Sequence, residues 1–217
     1  MNSNNLRFII DKIDNAIQED ERTGSFEKLL AKHLKQSRAP ATKEYRAAIV
    51  RFVRTYIRQT PDILDAAFAA ANRANVLGGM QPIFNAAFHY WAVHDDLIPD
   101  QTGLIGLADD AYLSMRLMEV ASNLSQQRSG QALLSIDLSE ANRMMRSMLG
   151  EPMASQLDAI VAQTVAEQTI QVGLQQLAGF VGAFPLSVPG FFGGSSYADI
   201  SREADIRLGA MGGPLPY

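Results

Sequence analysis

Apolar residues recur along most of the chain at the three- and four-residue spacing of an amphipathic α-helix. The first apolar stripe contains Leu6, Ile9, Ile10, Ile13 and Ile17. Gly24 interrupts this stripe, and a second one begins two residues later. The second stripe contains Phe26, Leu29, Leu30 and Leu34. It stops before Pro40, because a proline disfavours helical backbone in the residue that precedes it. The pattern predicts two helices in this part of the chain.

The central part of the chain predicts three further helices. Thr42 is a suitable N-cap for the third, whose apolar face contains Tyr45, Ile49, Phe52, Val53 and Tyr56. Pro61 suits the first turn of a fourth, Ala-rich helix, which we expect to end at Gly78 and Gly79. The fifth helix has its apolar stripe over about residues 83–91.

The remaining helical pattern extends to about residue 177. The sixth helix is predicted to begin near Ala108, and the seventh to cover about residues 138–149 and end at Gly150. An eighth begins at Pro152. No segment shows the alternation of a β-strand. The sequence therefore predicts an all-α fold, an irregular bundle of about seven or eight helices.

The character of the chain changes at about residue 178. Residues 178–217 are rich in Gly and Pro, which oppose a long helix, yet they contain several aromatic residues. Disordered segments are usually poor in aromatics, so we expect this tail to dock on its own domain or on a partner. The candidate partner-binding residues are Phe180, Phe184, Phe191, Phe192 and Tyr197. The predicted organisation is a helical domain over residues 1–177 followed by the tail.

Composition narrows the class of protein. A hydrophobic content of 47% with mixed charge is typical of a globular chain with a substantial core. The chain has no Cys, which excludes disulfides and thiolate metal sites, and its N-terminus lacks the apolar stretch of a secretory signal. No apolar run has the length of a membrane span. We therefore expect a cytoplasmic protein.

Charge is distributed unevenly along the sequence. Residues 28–58 carry nine Lys or Arg, whereas residues 95–119 carry six acids and a single arginine. Arg51, Arg54 and Arg58 form a basic stripe on the predicted third helix, opposite its apolar face. This stripe is a candidate phosphate site, although contacts with the protein's own acids are the commoner role of such a face. The net charge of −4 argues against general affinity for nucleic acid.

The acidic segment is the main candidate for chemistry. Helical spacing places Asp109 and Asp110 on the apolar side of the sixth predicted helix, together with Leu113. Ionised carboxylates at a core edge need partners, and we expect backbone N–H groups and an arginine to supply them. The alternative is a divalent cation, Mg²⁺, Mn²⁺ or Ca²⁺, because these ions prefer oxygen ligands. The candidate ligands are His94, Asp96, Asp100, Asp109 and Asp110.

The same segment, "DLIPDQTGLIGLADD", resembles the signature of the YkvA-like domain family, a bacterial family of unknown function. The matching positions are Asp96, Leu97, Ile98, Pro99, Asp100, Gly106, Asp109 and Asp110. The similarity extends over about residues 84–120, and it departs from the family pattern at His94, Asp95 and Gly103. The resemblance implies a helical hairpin over about residues 80–125, closed by an acidic turn. It implies no established activity, and some members of the family are associated with membranes.

Three functions remain open at this point. The chain has no nucleophile elbow, phosphate-binding loop or dinucleotide fingerprint, which favours a non-enzymatic interaction or regulatory protein that needs no cofactor. Its partner would be another protein or a second copy, bound through the tail. The first alternative is a metal-dependent hydrolase that acts on phosphoesters through residues 96–110. The second is a peripheral membrane protein anchored by the tail.

Overall fold

A computed structural model describes residues 3–36, 42–92, 100–129 and 132–166. These residues form α-helices and one 3-10 helix and contain no strand, which confirms the all-α prediction. The α-helices are α1 (Ser3–Thr23), α2 (Ser25–Gln36), α3 (Lys43–Arg73), α4 (Leu77–Ala92), α5 (Ala108–Ser129), α6 (Ser139–Leu149) and α7 (Met153–Ala166). The 3-10 helix, Asp100–Leu107, leads directly into α5. The tail and the domain boundary near residue 177 lie outside the described residues.

Helix α5 is the centre of the bundle. It packs against α3, α4, α6 and α7 and against the 3-10 helix. Every residue from Ala108 to Met118 is buried except Arg116, which is half-buried. A helix that is apolar on nearly all sides belongs in the interior, and this part of α5 is lined by Ala, Leu, Met and Tyr. Its first turn, which carries the two neighbouring aspartates, is therefore placed inside the core.

The predicted break at Pro61 is wrong, because α3 continues through this residue as a single helix. The proline removes one backbone donor, but Ile57 and Leu64 on either side are both fully buried. The Thr60 hydroxyl donates to the backbone oxygen of Tyr56, 3.2 Å away, in the same turn. Packing on both sides of the proline thus outweighs the lost hydrogen bond.

The predicted helix end at Gly78 and Gly79 is also wrong. Helix α3 ends at Arg73, and Asn75 takes the left-handed conformation with φ of 55°. Asn adopts left-handed backbone more readily than most residues. Asn75 therefore follows the end of the helix, where the sequence suggested a glycine. Both glycines lie in the first turn of α4.

The apolar stripes predicted from the sequence form most of the core. In α1, Ile9, Ile13 and Ile17 are buried, whereas Ile10 is exposed. The predicted apolar face of α3 is buried throughout. Helix α6 ends at Gly150 as predicted, and its inward face contains Met144, Met145 and Met148.

Candidate functional site

The acidic segment is placed at a corner where α1, the end of α4, the 3-10 helix and the start of α5 meet. Gly103 has φ of 75°, a backbone conformation that side chains with a Cβ rarely adopt, and it bends the 3-10 helix. After this bend, Leu104, Ile105 and Leu107 point into the core. The bend therefore delivers the first turn of α5 into the protein interior.

Asp109 and Asp110 are fully buried, which confirms that they lie on the core side of their helix. The Lys12 ammonium donates to Asp110 Oδ2 at 3.1 Å, and the lysine side chain is only 15% exposed. Both carboxylates also lie in the first turn of α5, where free N–H groups and the helix dipole favour negative charge. The corner is thus a buried ion pair between α1 and α5.

The cation differs from the one expected. We expected an arginine, but Lys12 from the first helix fills this role. Arg116, one and a half turns further along α5, points to the other side of the helix, where it contacts Glu119 and Asp158. The sequence could not single out Lys12, because 98 positions separate it from Asp110.

Trp91 of α4 contacts both Lys12 of α1 and Ser114 of α5. The Lys12 ammonium lies 5.6 Å from the centroid of the Trp91 ring and also donates to the Trp91 backbone oxygen at 3.0 Å. The indole Nε1–H donates to Ser114 Oγ at 2.9 Å. The Tyr90 hydroxyl lies 3.5 Å from Asp109 Oδ2. Each polar group named here has a partner within the fold, so the cluster holds α1, α4 and α5 together.

Only two of the five candidate metal ligands have described side chains, namely Asp109 and Asp110. The backbone of Asp100 lies in the 3-10 helix, but its side chain is outside the described residues, as are His94 and Asp96. In the described ranges, no group of three or more His, Asp or Glu residues is arranged to hold a metal ion. The divalent-cation hypothesis thus rests on the sequence alone.

The three arginines of the basic stripe on α3 differ in their exposure to solvent. Arg51 and Arg58 are exposed on the helix surface. Arg54 is half-buried, and its Nη2 donates to Asp20 Oδ2 at 2.7 Å. The proposed phosphate site would therefore have to compete with Asp20 for its central arginine.

Asp20 is a buried acid that sequence reasoning did not identify. Besides the ion pair with Arg54, its Oδ1 accepts hydrogen bonds from Phe26 N at 2.8 Å and from Ser25 Oγ at 3.0 Å. It lies near the end of α1 yet satisfies donors in the first turn of α2. An acid placed a few residues before a helix start is a capping signal, and Gly24 with φ of 61° allows the chain to fold back toward it.

A second polar cluster, also missed from the sequence, lies where α5, α6 and α7 meet. Asp158 accepts hydrogen bonds from the Tyr112 hydroxyl and from Arg146 Nε, both at 2.9 Å. Arg116 Nε lies 3.5 Å from the same carboxylate. Burial, together with the hydrogen bond and the negative charge of Asp158, raises the pKa of Tyr112. These groups line a cleft of about 180 Å³.

This cluster continues inward through Glu119. The Glu119 carboxylate accepts from Arg116 Nη1 at 2.9 Å and from Asn142 Nδ2 at 2.6 Å. The buried Asn142 accepts in turn from the Tyr56 hydroxyl. The chain of contacts thus runs from α3 to α7 across the bundle. Only the spacing of Arg116 and Glu119 on one helix face hinted at it in the sequence.

A larger cleft, of about 430 Å³, lies between α5 and residues 132–139. Ser122 Oγ accepts from Leu134 N at 3.1 Å and fixes this segment against the helix. Hydrogen bonds from Ser139 lower the pKa of Asp137 at the rim. The lining is half polar and half apolar, so its shape and chemistry single out no ligand class.

The chain matches no family model, no curated protein and no solved structure. The resemblance of residues 96–110 to the YkvA-like signature therefore stays a prediction. None of the described helices combines the length and hydropathy that crossing a membrane requires. The five aromatic residues predicted to bind a partner, Phe180 to Tyr197, lie outside the described residues.

Proposed function

We propose that this protein is a non-enzymatic interaction protein, in which the helical body is a scaffold and the aromatic tail binds a partner protein or a second copy. The observation that carries this proposal is the internal ion pair at the acidic corner. The strongest candidate for chemistry in the sequence, Asp110, is fully buried and bound by Lys12. Removal of either partner would leave the other charge buried and uncompensated, so this carboxylate is required where α1 packs on α5.

The surface of the helical body supports the same assignment. Within the described ranges, the exposed large hydrophobic residues are Phe8, Ile10 and Ile160. Phe8 already makes an edge contact with Phe88. By contrast, residues 178–217 carry four phenylalanines in a short stretch of sequence. Buried aromatic residues dominate the binding energy of many protein interfaces, so the tail is the better source of a binding surface.

The metal-dependent hydrolase is the weaker candidate. A divalent cation next to Asp110 would lie close to the Lys12 ammonium, and the two positive charges would repel each other. The peripheral membrane protein is supported only by the apolar character of the tail, because residues 178–201, which contain its phenylalanines, carry none of the Lys and Arg that usually flank such anchors.

Deletion of residues 178–217 tests the proposal. We expect the shortened chain to keep its helical circular dichroism and its urea midpoint, because the buried apolar residues of α1 to α7 pack against one another in one core. Its sedimentation coefficient should lose the concentration dependence of self-association, or its binding to a tagged full-length chain should disappear. A full-length variant with Phe180, Phe184, Phe191 and Phe192 changed to Ser should behave like the deletion.

Ser195→Ala combined with Ser196→Ala is the matched control, because it changes the same tail without touching an aromatic residue. This control should associate like the parent chain. If the deletion and the parent have the same assembly state and the same set of bound proteins, the tail is not the binding element and the proposal fails.

A further inference from the structure

We propose that two adjoining clefts beside α6 bind a short peptide with free amino and carboxyl ends, about three residues long. The charged cleft is the one of about 180 Å³ where α5, α6 and α7 meet. The larger cleft is the one of about 430 Å³ between α5 and residues 132–139. All residues that line the two clefts lie between Tyr112 and Asp158, so this site does not rest on the tail and goes beyond the proposed function.

The two clefts are neighbours, because Glu119 of α5 and Ser139 of α6 line both of them. Pockets for small-molecule ligands measure about 300–1,000 Å³. The larger cleft lies within this range, whereas the charged cleft lies below it. The charged cleft is therefore of a size to hold one end of a ligand whose remainder occupies the larger cleft.

The charge of the lining differs between the two clefts. Among the described residues that line the larger cleft, Glu119 and Asp137 are acidic and none is a lysine or arginine. The charged cleft is lined by three arginines and two acids, namely Arg116, Arg143, Arg146, Glu119 and Asp158. A ligand that spans both clefts is best matched with its negative end in the charged cleft and its positive end in the larger one.

Arg143 is the arginine best placed to bind the negative end. The two acids of the charged cleft are already bound by the other arginines, because Glu119 lies 2.9 Å from Arg116 Nη1 and Asp158 lies 2.9 Å from Arg146 Nε. Arg143 instead pairs with Glu140, and these two side chains are 51% and 47% exposed. So exposed a pair contributes little stability, so Arg143 turns to a ligand carboxylate at low cost.

Asp137 supplies the negative charge for the amino end of the peptide. Hydrogen bonds from the side chain and backbone of Ser139 lower the pKa of Asp137, so this carboxylate stays ionised at neutral pH. Asp137 is also exposed at the rim of the larger cleft. The same cleft is lined by Asn123 and Gln126, whose amide groups both donate and accept hydrogen bonds, as peptide groups require.

The spacing of Asp137 and Arg143 indicates the length of the ligand. Arg143 lies one helical turn beyond Ser139, the first residue of α6, and Asp137 lies two residues before it. The rise of a helix and the length of two further residues place Asp137 and Arg143 about 10 Å apart. An extended peptide of about three residues spans this distance, whereas a single amino acid is too short.

Calorimetric titration of the full-length chain with tri-alanine tests the proposal. Tri-alanine should bind with a dissociation constant of about 1 mM or lower, as expected for a ligand of its size. N-acetyl-tri-alanine has no ammonium group and tri-alanine amide has no carboxylate, so each should bind about tenfold more weakly. This comparison changes the ligand alone and does not depend on the folding of a variant.

Two variants assign the ends of the peptide. Arg143→Gln should weaken the binding of tri-alanine about tenfold and leave the affinity for tri-alanine amide unchanged. Asp137→Asn should weaken tri-alanine by a similar factor and leave the affinity for N-acetyl-tri-alanine unchanged. Arg73→Gln and Asp65→Asn are the matched controls, because they change the same charges at exposed positions of α3 outside both clefts. Both controls should bind tri-alanine like the parent.

Three results would overturn the peptide site: no saturable binding of tri-alanine up to about 10 mM, equal affinities for tri-alanine and its two capped forms, or losses in the control variants equal to those in Arg143→Gln and Asp137→Asn. All these titrations leave the tail intact. A failure of the tail-deletion experiment therefore refutes the proposed function alone, and a failure here refutes the peptide site alone.

Discussion

The charged group of Lys12 makes its contacts in the interior of the protein. Its ammonium binds Asp110, the Trp91 backbone oxygen and the face of the Trp91 ring. Removing one partner of a buried ion pair leaves the other charge without compensation, which costs far more than the pair itself contributes. Lys12→Met keeps the length of the side chain and should lower the free energy of unfolding by about 3 kcal/mol, measured by urea denaturation.

Lys35→Met is the control for this variant, since Lys35 is an exposed lysine of α2. Its free energy of unfolding should stay within about 0.5 kcal/mol of the parent value. Equal stability losses in the two variants would show that the Lys12 charge has no special role at the corner.

Asp20 is the second buried acid whose removal should destabilise the fold. It satisfies two donors in the first turn of α2 and pairs with Arg54 of α3. Asp20→Ala removes a helix cap and leaves a half-buried guanidinium without this partner, so unfolding should become easier by about 3 kcal/mol. The measurement is again the urea midpoint.

Glu21→Ala provides the comparison, because Glu21 is exposed and lies 3.8 Å from the same Arg54. A change of no more than about 0.5 kcal/mol is expected there. A large loss in Glu21→Ala, with a small one in Asp20→Ala, would reverse the assignment of the Arg54 partner.

The contrast between these residues shows what local sequence can predict. The orientation of Asp109 and Asp110 followed from the 100° helical rotation and is confirmed by their burial. The cation at Asp110 is Lys12, where an arginine was expected, because an ion pair between distant residues depends on which helices become neighbours. The same reason hid the pairing of Asp20 with Arg54, which are 34 positions apart.

At the scale of helices, apolar periodicity predicted positions better than boundaries. The interior of α3 follows the predicted stripe, yet the Thr60–Pro61–Asp62 sequence has the composition of a helix start. Proline fits both a first turn and a tolerated kink, and the burial of the residues around it decides between them. Likewise, two glycines suggested a helix end that Asn75 supplies instead.

Helices α5 and α7 meet at a tyrosine whose ionisation couples to folding. The pKa of Tyr112 is raised in the folded state, so the unfolded chain loses this proton first as pH rises. The stabilisation is fully present below about pH 10, the ordinary value for tyrosine, and is lost progressively above it, by up to about 1.4 kcal/mol per pH unit. Urea denaturation between about pH 8 and pH 11 should show this loss.

Tyr112→Phe has no hydroxyl to ionise and keeps the buried ring. Its free energy of unfolding should therefore fall less steeply than that of the parent over the same alkaline range. Parallel pH profiles for the two proteins would contradict a raised Tyr112 pKa and place the alkaline loss on other groups.

At the scale of the whole molecule, the uneven charge of the sequence is balanced by pairing within the bundle. Arg46 and Arg54 pair with Glu27 and Asp20 of the first two helices, and the acidic corner pairs with Lys12. The first helix therefore connects both charged regions to the core, and its position depends on both pairs.

The folded protein as a whole should be insensitive to divalent cations beyond their contribution to ionic strength. A site with a dissociation constant of about 10 µM would stabilise the fold by about 2.7 kcal/mol at about 1 mM cation. Because Lys12 lies 3.1 Å from Asp110 Oδ2, Mg²⁺, Mn²⁺ and Ca²⁺ should each give the same thermal midpoint as NaCl of equal ionic strength. A saturable rise with one cation, abolished by Asp109→Asn, would instead support the metal-dependent hydrolase and contradict the scaffold role of the corner.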